Sequence, residues 1–183
     1  MRTIIFLLLF AGTAFAQCGS PKSRQSVKDA TDGITLSLTP VTSSIKEQCE
    51  LLEPTGKWES MPRQDNEKIL YRISGMLTWA GIESDGDYHL VVSDGRRTMI
   101  WEIPDPNCVA SDHRYAPLWR TARHTVDSLL GKPLTKGVKK VTPIPVTGTG
   151  YGFFDEPKHN GTGHAPNERE LHALCWITKS FNK

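Results

Sequence analysis

The sequence predicts a mainly β fold built from five strands and one α-helix. Three observations predict it. Apolar and polar residues alternate with the period of two of a half-buried strand over 71–79, 87–92, 98–103 and 170–177. One stretch, 117–130, has helical spacing instead, with Leu118, Ala122, Val126 and Leu129 or Leu130 on one stripe. The order is then three strands in a meander, a helix, and two further strands. That is the order of a small OB-like five-stranded barrel, in which the third strand lies beside both the second and the fifth. The alternative, a looser α+β sandwich, leaves strand edges unpaired.

The elements follow from local chemistry. In the first strand, Tyr71, Ile73, Leu77 and Trp79 share a face across Gly75, which predicts a bend or bulge at that glycine. Ser84-Asp85-Gly86 is a turn, and Asp94-Gly95 is a hairpin signal between the second and third strands. Pro104-Asp105-Pro106 stops the third. Pro117 suits a first helical turn, while Gly131 and Pro133 end the helix. The fourth strand, 141–154, is interrupted by Gly148, Gly150 and Gly152, read as bending that lets Phe153 and Phe154 pack. A loop over 155–169 leads to the fifth.

The first 16 residues read as a secretory signal: Arg2, an apolar run from Ile4 to Phe10, and an Ala14-Phe15-Ala16 cleavage site. The expected location is secreted or periplasmic. No stretch approaches the ~18 apolar residues of a transmembrane helix. Residues 17–66 form an irregular N-terminal extension, and 67–183 the barrel domain. Within the extension, 17–32 reads as a flexible lead-in, 34–38 as a short alternating strand, and 43–52 as a brief helix with Ile45, Cys49 and Leu52 on one side.

The formal charge of +2 falls by one when Arg2 leaves with the leader, so bulk charge argues for neither nucleic acid nor membrane. Four cysteines (Cys18, Cys49, Cys108, Cys175) allow up to two disulfides in an oxidising compartment, and no C-x-x-C pair is present. At least one disulfide is expected to tie extension to barrel, with Cys49 to Cys108 preferred. Such a loop of about 60 residues is worth ~3–4 kcal/mol on a loop-entropy estimate.

The candidate site is a patch of polar strand positions: Asp87, His89, Glu102, Glu170 and His172. Barrel closure would set His89, Glu102 and His172 on three neighbouring strands ~4.7–4.9 Å apart. Two imidazoles and one or two carboxylates suit a divalent ion such as Zn²⁺, Mn²⁺ or Fe²⁺, with His89, Glu102 and His172 as ligands. A metal-free general acid–base pair is a second use. A solvated outer face with Glu–His cross-strand pairs is the plain alternative, and it makes the chain a structural or interaction protein with no site. The loop over 155–169, with Asp155, His159, His164 and Asn167, is expected either to wall the site, His159 adding to the binding patch, or to be a mobile surface hairpin.

Arg96 and Arg97 at the hairpin and Lys136, Lys139 and Lys140 in the linker offer a polyanion or small ligand a basic flank, although a solvated turn explains the arginines as well. Trp79, Trp101 and Trp119 are read as core. Trp176 falls on the polar side of its strand with His172, where it is able either to stack a base or a sugar or to cap the barrel from a terminal segment.

The strings DGDYHLVVSD, TMIWEIPDPNC, VTGTGYGFFD, HNGTGHAPN and ELH resemble a family of uncharacterised secreted bacterial proteins, over about 28–177. The resemblance implies a single domain and no particular reaction. His164 and Arg169 depart from its pattern. The strand order and the Asp85-Gly86-Asp87 turn also resemble staphylococcal-nuclease-like domains, which implies acidic calcium ligands, phosphate-holding arginines and a metal-dependent phosphodiesterase activity. Pro104-Asp105-Pro106 stands where that family has a Pro-Glu motif.

Overall fold

A computed structural model describes Cys18, residues 24–157 and residues 162–180. The signal segment and His159 lie outside the described residues. The chain is mainly β, with a six-stranded mixed sheet: β1 (Val41–Thr42), β2 (Leu70–Ile82), β3 (Tyr88–Ser93), β4 (Thr98–Ile103), β5 (Lys139–Phe154) and β6 (Arg169–Lys179). Hydrogen bonding runs from β2 through β3, β4, β6 and β5 and back to β2, so five strands form a ring. The required pairing of third and fifth core strands is present, as β4 runs parallel to β6. The ring leaves β1 alone at an edge, paired with β2 over two residues.

Among the described residues three α-helices accompany the sheet: α1 (Gln25–Lys28), α2 (Ile45–Cys49) and α3 (Ala116–Leu130). Only α3 exceeds seven residues, and it lies between β4 and β5 as the spacing predicted. Pro117 occupies its first turn, and Gly131 ends it in the left-handed region at φ 69°. Its buried stripe is Ala116, Trp119, Ala122 and Val126. Trp119 and Trp101 are fully buried in the main core with Leu77, Leu90, Met99 and Leu174. Full burial of each aliphatic side chain is worth about 1.5–3 kcal/mol before entropy is counted. Gly148 lies over the Trp101 ring, where a Cβ would have no room.

The extension departs from its expected form. Residues 34–38 are not a strand: Leu36 is buried, but Ile34 and Leu38 are open to solvent. Alternation makes a strand only where a ladder partner is present, and here Ser37 N–H is held by Lys68 O at 3.0 Å instead. The helix expected over 43–52 is shortened to α2, whose start is set by a Ser44–Glu47 capping box. Leu52 is 90 % exposed rather than on the buried side.

The expected flexible lead-in is also corrected. From Arg24 onward it is ordered and packed: Arg24, Val27 and Lys28 are buried. Arg24 bonds Met61 O, Phe154 O and Glu67 Oε2 at 3.0, 2.9 and 2.5 Å, and its guanidinium stacks over Trp58 and Phe153. Arg63 pairs with Asp32 at 2.8 Å and clamps the same segment. Val27, Trp58, Met61, Phe153 and Phe154 form a second apolar cluster that fastens the extension to β5. Composition alone misses this, because each charged residue finds its partner far along the chain.

The extension is tied to the strands by a disulfide, but between Cys18 and Cys108 rather than Cys49 and Cys108. Their Cα atoms are 5.3 Å apart, within disulfide reach. Cys49 instead turns its thiol toward Thr98 O, and Cys175 is buried in the core; both are free. The actual loop spans 90 residues, for which the loop-entropy model gives about 4–5 kcal/mol.

Two smaller differences concern β2. The register shift falls between Leu77 and Trp79, not at Gly75. Trp79 is half-buried rather than core.

Candidate metal centre

The centre is built on one rung. Antiparallel pairing sets His89 of β3 opposite Glu102 of β4, and parallel pairing sets Glu102 opposite His172 of β6. Three consecutive strands thus deliver an imidazole, a carboxylate and an imidazole side by side. Asp87, just before β3, is fixed where its Oδ1 accepts the Asp105 N–H at 2.8 Å. The turn at 83–87, closed by Gly86 at φ 96° and by Glu83 N–H to Asp87 O at 3.0 Å, brings Glu83 back beside His89.

The geometry centres on Glu102. Its Oε1 lies 3.2 Å from His89 Nδ1, and its Oε2 lies 3.0 Å from His172 Nε2. Glu83 Oε1 flanks His89 Nδ1 at 2.8 Å, and Asp87 Oδ2 flanks His172 Nε2 at 3.4 Å. Two three-ligand groups result, Glu83–His89–Glu102 and Asp87–Glu102–His172, each with donor atoms within 4.8 Å of one another. They share Glu102 as the common member.

The plain alternative of a solvated face does not hold. Asp87, His89, Glu102, Glu170 and His172 are all buried, His172 completely. The cover includes α1. Lys28 Nζ reaches Glu102 Oε2 at 3.3 Å, and the Lys28 carbonyl lies 3.1 Å from His172 Nδ1. A carbonyl only accepts, so Nδ1 carries the proton of that hydrogen bond. When the ring gives up its second proton, as metal binding requires, the lone pair falls on Nε2, the nitrogen beside the two carboxylates. This is the arrangement by which a backbone carbonyl sets the tautomer of a metal-ligating histidine.

The charge state follows from burial set against partners. Burial opposes the charge on His89, but hydrogen bonds and charge from Glu102 and Glu83 outweigh it and raise its pKa to about 10. Burial and the Lys28 charge oppose that of His172, yet Asp87 and Glu102 raise it to about 10 as well. Lys28 is held above its ordinary value, since Glu102, Glu170, Asp155 and Asp87 overcome its burial. Glu102 goes the other way: Lys28 and both imidazoles outweigh its burial and hold it well below the usual range. Glu170 is raised well above that range by burial, with Glu102 and Asp155 adding repulsion. Imidazoles held protonated among carboxylates are what a mixed nitrogen–oxygen donor set becomes when protons take the place of a cation.

The residues fit a divalent ion by one further observation. His172 Nε2 has no oxygen along its N–H direction despite its two close carboxylates, and Glu170 Oε2 is likewise buried without a hydrogen bond among the described residues. Glu83, its side chain 31 % exposed, is the most open member of the groups. It lines a surface cavity of about 250 Å³ with Tyr88, Asp105, Arg123 and Lys136, which provides a way in.

Other expected contributors are placed elsewhere. Glu170 belongs to the buried cluster but to neither three-ligand group. His164 pairs with Glu168 at 2.8 Å, and Asn167 is structural, donating to Gln48 O and Leu51 O at the end of α2. Arg97 lies beside Glu50 and Asp94, away from the centre, and Lys139 and Lys140 belong to β5. Sequence reasoning missed Glu83 and Lys28. A carboxylate just ahead of Ser84-Asp85-Gly86 was a signal for the first; nothing local pointed to the second.

Comparison with protein families, with curated proteins and with solved structures finds no match for this chain.

Proposed function

We propose that this is an exported OB-type barrel protein that binds a divalent metal ion at the Glu102 rung, with His172 and Asp87 on one side and His89 and Glu83 on the other. The observation that carries the reading is Glu102 flanked by two imidazoles, one with its tautomer set by the Lys28 carbonyl. The strand order around the ring supports the barrel. The Cys18–Cys108 disulfide supports an oxidising compartment, and the resemblance to secreted bacterial proteins agrees with export. The donor set favours Zn²⁺, Mn²⁺ or Fe²⁺ over Ca²⁺. A bound ion would supply Lewis acidity and an acidic water at the cavity beside Glu83.

The test is metal content. The leaderless protein, stripped with chelator, incubated with Zn²⁺ or Mn²⁺ and desalted, should retain metal. His172→Ala should abolish retention. Glu83→Gln, at a half-exposed position where folding is preserved, should weaken binding at least tenfold. A protein that retains no metal, or that retains it equally in both variants, has no metal centre.

A second reading, metal-dependent phosphodiester hydrolysis, draws on Lys136 and Arg123 lining the cavity that opens at Glu83. It requires cleavage of a phosphodiester that appears with added divalent ion and is lost in Glu83→Gln.

A further inference from the structure

Apart from the charged cluster, with which it shares only strand β6, a second ordered array runs across β2, β5 and β6. Register sets Arg72 opposite Thr149 and Thr149 opposite Trp176, one rung across three strands. The next rung is Ser74, Thr147 and Thr178. Trp176 is 42 % exposed, an unusual state for an indole on an internal strand, and Arg72 and Thr178 are also open. A groove of about 550 Å³ runs over these residues, within the range of small-ligand sites.

The groove is a built feature. One wall is the segment carrying Leu38 and Pro40. That segment is held by Ser37 N–H to Lys68 O at 3.0 Å and by Tyr151 O–H to Ser37 O at 2.9 Å. Its floor is a hydrogen-bonded ladder, so the aromatic and hydroxyl groups are presented at fixed spacing. Ser74 and Thr147 hydroxyls are already linked at 2.8 Å. Arg72 is exposed, its guanidinium has no hydrogen-bond or ion-pair partner among the described residues, and it is the one charged residue lining the groove.

We infer that this groove binds an acidic sugar, a uronic acid residue of an oligosaccharide, with its ring on Trp176 and its carboxylate on Arg72. A pyranose offers a C–H face that stacks on indole and edge hydroxyls that match the exposed Thr178 in the same groove. A carboxylate matches the planar fork of an unpaired guanidinium. A single-stranded nucleic acid fits less well, because its affinity comes from several cations tracking the backbone and from repeated stacking platforms. Here there is one of each. The site is separate from the metal centre and does not depend on it.

Calorimetric titration of the leaderless protein in the presence of chelator tests this, with trigalacturonate as the probe. Cellotriose and an oligothymidylate serve as competitors of other chemistry. Trigalacturonate should bind, and Trp176→Ala and Arg72→Ala should each weaken it about tenfold or more, with cellotriose unaffected by the second substitution. Both residues are exposed, so unchanged melting temperatures separate lost binding from lost folding. No heat from trigalacturonate at millimolar concentration, equal binding by either variant, or tighter binding of cellotriose or oligothymidylate overturns the assignment.

Discussion

Strand β6 holds both a fully buried histidine and an open tryptophan four residues later. His172 and Trp176 occupy even positions of one strand, and period alone assigns them one face. Their surroundings differ because of what lies above them. Over His172, α1 supplies the Lys28 carbonyl and the Lys28 ammonium, and Arg24 locks that segment onto Glu67 and Phe154. Over Trp176, among the described residues, lies the edge of the 38–40 segment, and a groove remains. The first region is a charge network whose members depend on one another in a dry interior. The second centres on an indole and a guanidinium that both face water. Removing one member of the first leaves an uncompensated buried charge, whereas removing one member of the second leaves a vacancy that water fills.

That contrast breaks first at Glu102, where the largest effect is expected. Glu102→Ala strands His89, His172 and Lys28 without their shared anion, and should lower stability by about 3–5 kcal/mol in urea unfolding. A loss below about 1 kcal/mol would show that the network is not the coupled unit its distances imply.

The pH dependence of the metal-free protein sharpens the same point with a more gradual effect. Both imidazoles have folded pKa values near 10 against an ordinary 6.5. Their stabilisation is therefore fully present below about pH 6.5 and is lost as pH rises toward 10. Denaturant midpoints measured in chelator should fall steadily across that window. With metal bound the fall should be absent or displaced, since the ion then takes the place of the protons. A flat profile in chelator would mean that the histidines are neutral in the fold.

The smallest effect belongs to the open region. Trp176→Ala should change stability by no more than about 0.5 kcal/mol by thermal unfolding, as for other exposed positions. A loss of about 2 kcal/mol or more would mark Trp176 as a packing residue and erase the difference between the two ends of β6.

Much of the architecture was readable from local pattern. The alternation at 98–103 and 170–177, the Asp94-Gly95 hairpin, and the Pro117-to-Gly131 helix all reappear within one or two residues. Strand order then placed His89, Glu102 and His172 on neighbouring strands, as the pairing confirms. The extension was not readable in this way. Ile34, Leu36 and Leu38 alternate as well as any strand, yet only Leu36 is buried, because alternation describes a strand's faces without supplying a partner for its edge. Cys18 displaced Cys49 as the partner of Cys108 for a related reason: pairing depends on where an irregular segment is folded, not on spacing.

The sequence by itself therefore determined the strands, the helix and the rung that holds two imidazoles and a carboxylate, since each rests on periodicity or turn chemistry within a few residues. Tertiary structure alone decided that this rung is buried, that Lys28 and Glu83 join it, and that Trp176 stays open. Those outcomes depend on contacts between residues separated by tens of positions, such as Lys28 with Glu102 and Arg24 with Phe154. Local propensity has no information at that range, and the energy of burying a charge is set wholly by the partners that arrive there.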